Sequence, residues 1–198
     1  MGNSTFVGLA EAAMLLASPA LTALPPADLA GAANQDKVRS TAMHSSLHDF
    51  DFFMGNWRVH HRRLKERLAG CHEWVEFEGT TTVQKILGGF GNMDDNVLDK
   101  PGGVYRAVSL RTFDPKASRW SIWWFDGRYP AHLDPPVVGG FENGVGSFYA
   151  DDTFDGKPIR MRFIWSRTDT AAPRWEQAFS TDGGKSWETN WIMDFTRA

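Results

Sequence analysis

Residues 49–64 read DFDFFMGNWRVHHRRL, a stretch that is aromatic at its start and strand-like afterwards. The aromatic part, residues 49–54, predicts one short helical turn that lays its rings over a core, and residues 57–64 predict a β-strand. Eight further strand-like runs follow, at residues 73–87, 105–113, 120–125, 137–141, 145–150, 159–166, 175–180 and 187–195. Because no segment between residues 57 and 197 has a sustained helical period, we expect an all-β domain.

Turn-forming residues separate the predicted strands at hairpin spacing. The turn motifs are Asp114-Pro115, Asn143-Gly144, Asp155-Gly156 and Asp182-Gly183-Gly184. Such motifs are typical of the short connections between antiparallel strands. A meander of nine or ten strands normally closes into a barrel, because closure removes its exposed edges. We therefore predict an antiparallel up-and-down β-barrel.

The first 43 residues differ in composition from the rest of the chain. Residues 1–43 contain eleven Ala and no Trp, whereas all nine Trp follow residue 56. We predict an Ala-rich extension, residues 1–43, with a short helix near residues 9–17 and a linker, followed by a barrel domain, residues 44–198. No basic residue precedes the apolar stretch and Glu11 interrupts it, which argues against a secretory signal. We expect a cytoplasmic protein, or a periplasmic one if residues 1–43 act as a signal.

The charge balance and the cysteine count exclude several classes of partner and site. Against 21 Lys and Arg stand 24 Asp and Glu, giving a net charge of -3, so we expect no nucleic-acid partner and no membrane binding. The single cysteine, Cys71, excludes an intramolecular disulfide and a cysteine-based structural zinc site. His60 and His61 cannot chelate one metal ion from a regular strand, because successive side chains point to opposite faces. We therefore expect neither a metal nor another cofactor.

A Gly-x-Trp motif, Gly55-Asn56-Trp57, begins the first predicted strand, and Arg197 ends the last one. This arrangement resembles the calycin superfamily, in which such a tryptophan closes one end of a barrel and an arginine from the final strand packs over its ring. Further segments resemble a bacterial calycin-like family of unknown function: residues 51–57, 135–141, 162–166, 175–180 and 190–191. The resemblance covers about residues 48–197, and it implies a lipocalin-like barrel without implying a reaction.

Residues 180–187 read STDGGKSW and fit the Asp-box pattern Ser-x-Asp-x-Gly-x-x-Trp. We interpret this motif as a hairpin device in which Asp182 accepts backbone N–H bonds, Gly184 takes a positive φ and Trp187 packs over the loop. If this turn sets the register of the last hairpin, Glu176 lies opposite Trp191. Gln177 then lies opposite Asn190 on the other face of the sheet. A single copy of the pattern excludes a propeller.

Two neighbouring histidines are candidates for a catalytic base. If Trp57 points inward, as the resemblance implies, His61 shares its face and His60 faces solvent. In any regular register, one of the two faces the interior. An imidazole has an unperturbed pKa of about 6.5 and can act as a general base near neutral pH. The alternative is a structural histidine that is hydrogen-bonded within the barrel wall.

Charged residues within or beside the aromatic runs are candidates for an ion pair or a ligand site, because a buried charge must be compensated. Arg162 and Glu176 lie on successive predicted strands, where they can pair with each other. Glu176 is the third catalytic candidate, beside His60 and His61. The other charged residues of this kind are Asp94, Asp95, Asp126 and Arg128.

Nine tryptophans in one barrel predict a cavity lined by flat aromatic faces, which suits an aromatic or polycyclic ligand better than a flexible acyl chain. The alternative is that tryptophan serves as bulky filler. The predicted ligand-binding residues are Trp124, Arg128, Arg162, Trp165, Trp175, Gln177, Asn190 and Trp191.

These patterns lead to one favoured function and two alternatives. We predict that the barrel binds a small aromatic or hydrophobic molecule and acts as a cofactor-independent lyase, isomerase or cyclase, in which one His or Glu moves a proton. The first alternative is a non-catalytic carrier or sensor. The second is a structural barrel with a filled interior. The sequence leaves open whether the chain forms a homodimer.

Overall fold

Ten β-strands make up the fold in the structure, a computed structural model that describes residues 45–198. They are β1 (Gly55–Leu64), β2 (Trp74–Ile86), β3 (Gly91–Lys100), β4 (Gly103–Asp114), β5 (Arg119–Asp126), β6 (Val137–Glu142), β7 (Val145–Phe154), β8 (Lys157–Ser166), β9 (Arg174–Ser180) and β10 (Glu188–Arg197). Each strand pairs antiparallel with the next, and β1 also pairs with β10, so the sheet closes into a barrel. The predicted all-β, up-and-down barrel is therefore confirmed.

Helical structure in residues 45–198 is limited to two short 3-10 helices, Asp51–Phe53 and Leu87–Gly89. The first of these is the helical turn predicted from residues 49–54. No helix in this part of the chain is long and apolar enough to cross a membrane. The helix predicted near residues 9–17 and the predicted division after residue 43 lie outside the described residues.

The strand β3 is the only one of the ten that the sequence pattern does not predict. Its residues Asn92, Asp94 and Asn96 are buried and alternate with more exposed neighbours, which is the period of a strand. Sequence-based assignment of a half-buried strand relies on apolar residues at alternate positions. In β3 the buried positions near the middle of the strand are polar, so that signal is absent.

Aromatic side chains fill the end of the barrel at which β1 begins. The ring of Phe53 lies 4.7 Å from that of Trp165 and 5.0 Å from that of Phe195, measured between centroids. The indole N–H of Trp57 donates a hydrogen bond of 2.7 Å to the backbone carbonyl of Phe53. We call these four residues, Phe53, Trp57, Trp165 and Phe195, the closed end. All of them are almost completely buried, so the helical turn before β1 seals this end of the barrel.

Arg197 covers the outer side of the closed end. Its guanidinium carbon lies 3.7 Å from the centre of the Trp57 ring. The same guanidinium donates hydrogen bonds to the backbone carbonyls of Phe52, at 2.9 Å, and Met54. Gly55 has a φ of +105°, and a Cβ there would lie 3.0 Å from Arg197 Nη1, so this approach requires glycine. The contact is the one that the resemblance to calycins implies.

The Asp-box hairpin between β9 and β10 has the predicted structure. Asp182 Oδ1 accepts the backbone N–H groups of Lys185 and Ser186, both at 2.9 Å. Gly184 has a φ of +93°. The indole N–H of Trp187 donates to the carbonyl of Gly184 at 3.0 Å, so the ring packs over the loop.

A β-bulge changes the register of this hairpin beyond Thr189. Two residues, Asn190 and Trp191, lie opposite the single residue Gln177. The predicted pairing of Glu176 with Trp191 is therefore wrong, and so is a simple pairing of Gln177 with Asn190. The extra residue remains attached to the partner strand, because Gln177 Nε2 donates a hydrogen bond of 2.8 Å to Asn190 Oδ1.

The contact of Arg197 with Trp57 predicts a loss of stability on truncation. We expect Arg197→Ala to lower the free energy of unfolding by about 1–3 kcal/mol, because a cation–π contact and two hydrogen bonds are lost together. Chemical denaturation followed by tryptophan fluorescence measures the change. Arg58→Ala, on the exposed face of β1, is the matched control. An Arg197→Ala protein that is as stable as Arg58→Ala would contradict the prediction.

Candidate functional site

A cavity of about 310 Å³ lies inside the barrel. Three residues of the closed end, Phe53, Trp165 and Phe195, contribute to its lining. Several lining residues at the other end are partly or fully exposed. We call five of them the mouth: Arg63, Arg67, Asp126, Arg128 and Tyr129. The cavity is therefore sealed at one end and polar and solvent-exposed at the other.

Three tryptophans form the central wall of this cavity. The rings of Trp124 and Trp175 both lie almost perpendicular to that of Trp191, at 83° and 88°. Their centroids lie 5.9 Å and 5.6 Å from the Trp191 centroid. Phe163 adds a further ring, 4.7 Å from that of Trp175. Edge-to-face packing fixes the orientation of these rings and leaves aromatic surface facing the cavity.

Six of the residues predicted to bind a ligand line the cavity. They are Trp124, Arg128, Trp165, Trp175, Gln177 and Trp191. A seventh, Asn190, is completely buried and holds Gln177 through the hydrogen bond across the bulge. The structure thus brings together most of the side chains that aromatic content and polar neighbours singled out in the sequence.

The two histidines lie on opposite faces of β1. His61 faces inward and is 3% exposed, whereas the ring of His60 lies on the outer surface, with its Nδ1 2.7 Å from Glu78 Oε1. The His61 ring stacks on Phe77 at 4.6 Å, and its Nδ1 accepts a hydrogen bond of 3.2 Å from the indole N–H of Trp191. Nε2 therefore carries the hydrogen of the neutral imidazole.

Burial keeps His61 uncharged. Loss of solvent, with smaller contributions from the nearby charges of His60 and Arg63, lowers the pKa of His61 to about 3. His61 is not among the residues that line the cavity. Its observed contacts are those of a histidine within the barrel wall, which supports the wall by accepting a bond from Trp191.

Glu176 and Arg162 point away from the cavity. Their neighbours along each strand, Trp175 and Gln177 in β9 and Phe163 in β8, line the cavity, so alternation turns these two side chains outward. Within the described residues, no ion pair joins Arg162 to Glu176, and the predicted pairing is wrong. The Arg162 guanidinium instead lies 4.4 Å from the centre of the Trp187 ring on the outer surface.

A buried ion pair, Asp94 with Arg111, lines the cavity near the closed end. Arg111 Nη2 lies 2.7 Å from Asp94 Oδ2, and both side chains are less than 5% exposed, at 4% and 3%. Asp94 Oδ1 also accepts the backbone N–H of Ser109 and the amide of Asn96, both at 2.7 Å. Arg111 Nη1 donates to Asn92 Oδ1 at 3.0 Å. The charges compensate each other, so this part of the cavity is polar without a net charge.

The sequence contains one signal for this polar cluster. Asn92, Asp94 and Asn96 recur every second residue, and Ser109 and Arg111 do the same in β4. Such alternation predicts a polar face of a strand. Whether that face lies inside the barrel depends on pairing with the neighbouring strands, which the sequence pattern does not specify.

The pairing between β5 and β6 is the shortest in the barrel. Only residues 120–122 pair with residues 137–139, and β5 has no pairing with β6 beyond Ile122. The segment between these strands contributes Tyr129, His132 and Pro135 to the lining of the cavity. It therefore forms part of the cavity wall where β5 and β6 do not pair.

Among residues 45–198, no three His, Cys, Asp or Glu side chains form a group that could hold a metal ion. The polar groups of the cavity are guanidinium, carboxylate, amide, phenol, hydroxyl and imidazole groups, and the imidazole of His132 lies 3.0 Å from Asp134. Their chemistry is that of hydrogen bonding and charge recognition.

The buried ion pair predicts a large effect of removing one charge. We expect Asp94→Asn to lower the free energy of unfolding by about 3–5 kcal/mol, because Arg111 is left buried without a counter-charge. Asp94→Asn combined with Arg111→Met removes both charges and should cost less than Asp94→Asn alone. Chemical denaturation measures the free energy of unfolding of the natural protein, of Asp94→Asn and of the double variant. Asp95→Asn, which affects the exposed pair with Arg106, is the control, and an equal loss from both single variants would contradict the prediction.

His61 predicts a specific dependence of stability on pH. Its pKa of about 3 in the folded protein lies below the value of about 6.5 expected when unfolded, so the unfolded chain binds the extra proton as the pH falls. Below pH ~6.5 this lowers the free energy of unfolding by about 1.4 kcal/mol per pH unit. His61→Gln lacks this contribution, so its stability should fall less between pH ~6.5 and ~5. Equal slopes for both proteins in denaturation experiments would refute the assignment.

No protein-family model and no curated protein matches this chain. The resemblance to calycins therefore remains a prediction.

Proposed function

We propose that this protein binds a small aromatic molecule inside its barrel. The observation that carries the proposal is the cavity of about 310 Å³ bordered by Trp124, Trp175 and Trp191. This volume lies at the lower end of the range of small-molecule sites. Rings that meet nearly at right angles offer flat faces in more than one direction, which matches a rigid planar ligand better than a flexible chain.

The size of the cavity argues against tryptophan as filler alone. Protein interiors are normally packed as densely as organic crystals, and voids larger than a few water molecules are rare. A barrel of filler side chains would close around its centre. In this barrel the bulkiest residues instead surround an open space, and lining residues at the mouth are exposed to solvent.

The geometry supports binding better than it supports catalysis. A general base must reach the reacting proton and have a pKa near the working pH. His61 lies behind the cavity wall with a pKa of about 3 and with Nδ1 occupied. His60 and Glu176 face outward. We therefore propose a carrier or sensor as the function, with the lyase, isomerase or cyclase activity as a prediction that the experiment below also tests.

The proposal is tested with two uncharged probes, 2-naphthol and 1-decanol, in isothermal titration. We expect saturable binding of 2-naphthol at one site and much weaker binding of 1-decanol, because only the planar ring fits between the tryptophans. Met161→Trp adds a ring inside the cavity and should abolish binding. Ile164→Trp, which adds the same ring on the outer face of β8, should leave the affinity unchanged.

Two outcomes would contradict the proposal. One is the absence of 2-naphthol binding to the natural protein, which would favour a filled barrel. The other is equal binding by Met161→Trp, which would place the site elsewhere. Mass spectrometry of each mixture after the titration detects turnover, and a changed mass would support an enzyme instead of a carrier.

A further inference from the structure

Two arginines of the mouth, Arg63 and Arg67, line the cavity and are half-buried. Arg63 is the inward residue nearest the end of β1, and Arg67 follows in the connection to β2. Burial, together with the nearby Arg63 guanidinium, lowers the pKa of Arg67 to about 10. Both groups nevertheless remain cationic at neutral pH, so the mouth holds two like charges close to each other.

Neither of these arginines has a carboxylate partner within the described residues. Asp126, the carboxylate whose charge acts on Arg63, is held by Arg128 through hydrogen bonds of 2.5, 2.9 and 3.2 Å. Two further carboxylates line the cavity: Asp134 lies 3.0 Å from His132, and Asp152 accepts the backbone N–H of Thr153. Glu188, whose charge acts on Arg67, accepts the backbone N–H of Leu68 at 2.8 Å. Asp155 also influences Arg67, but it forms no ion pair with it. The positive charge of Arg63 and Arg67 is thus not neutralised by direct contact.

Aromatic faces position both guanidinium groups. The guanidinium carbon of Arg63 lies 4.7 Å from the centre of the Trp191 ring. That of Arg67 lies 4.4 Å from the centre of the Phe154 ring and 5.6 Å from that of Phe179. A guanidinium that lies over a ring keeps N–H donors for other partners, and Arg63 also contacts the Tyr105 hydroxyl beside the cavity. Two oriented sets of donors therefore stand at the cavity rim.

We propose that the ligand carries a carboxylate, which Arg63 and Arg67 bind at the mouth while its aromatic body lies against Trp191. The inference rests on the proposed function, because it assigns the polar end of the same ligand. An anion between two like charges relieves their repulsion and forms charge-assisted hydrogen bonds with the planar guanidinium edges. The Asp94–Arg111 pair at the far end is already neutral, so the carboxylate has one preferred end of the cavity.

The test compares naphthalene-2-carboxylate with its uncharged analogue, naphthalene-2-carboxamide, by isothermal titration. We expect the natural protein to bind the carboxylate at least about tenfold more tightly. In Arg63→Met combined with Arg67→Met this preference should disappear, while the carboxamide still binds. Retained carboxamide binding shows that the variant barrel is intact. Arg58→Met, an exposed arginine of the same strand, is the control and should keep the preference.

Salt provides a second measurement that needs no variant. Raising KCl from about 0.05 to about 0.5 M should weaken binding of the carboxylate and leave binding of the carboxamide unchanged, because mobile ions screen the mouth arginines. Equal affinities of the two probes for the natural protein would overturn the inference. So would a preference that survives removal of both arginines.

The two proposals fail in different ways. If 2-naphthol and both naphthalene probes fail to bind, the proposed function itself is wrong. If 2-naphthol binds and the carboxylate gains nothing over the carboxamide, the cavity is a ligand site and only the assignment of a carboxylate to Arg63 and Arg67 is wrong.

Discussion

The antiparallel pairing of β1 with β10, in which Trp57 lies opposite Arg197, closes the sheet into a barrel. Closure gives each strand an interior face and a solvent face, between which residues alternate except at irregularities such as the bulge of Asn190 and Trp191. His61 and Arg63 thereby share the interior with Trp57, and His60 does not. The Arg197 guanidinium also caps the closed end, so the contact that joins the first and last strands makes the cavity a pocket with one sealed end.

The interior is divided between apolar packing and two polar regions. Phe53, Trp165 and Phe195 fill the closed end. Beside them, Asp94 and Arg111 are buried, and burial of two charges is tolerable because they pair with each other and because hydrogen bonds engage the carboxylate and both Nη atoms of the guanidinium, although Arg111 Nε has no partner. At the mouth, Arg63 and Arg67 lie over aromatic rings and form no ion pair, whereas Arg128 is paired with Asp126. The difference between a compensated pair at one end and uncompensated cations at the other gives the cavity its polarity.

Much of the fold could be predicted from local pattern. Nine strands, the hairpin turns and the helical turn before β1 all have signals within a few residues, because apolar alternation and turn chemistry act locally. The strand β3 lacks such a signal, since its buried face is polar and is stabilised by Arg111 from the next strand. The bulge at Asn190 also has no local signal in the sequence, because its extra residue is held by a hydrogen bond from Gln177, which lies on the partner strand.

The sequence by itself determined the all-β class, the high aromatic content of the domain and six of the residues that line the cavity. Tertiary structure alone decided which charges face inward, because a strand presents both faces equally until its neighbours and the closed sheet choose one. Arg162 and Glu176 are on the outside for that reason, and Arg63 is inside. Pairing between strands also decided which charges are compensated, since Asp94 and Arg111 meet across β3 and β4 and the mouth carboxylate Asp126 is bound by Arg128.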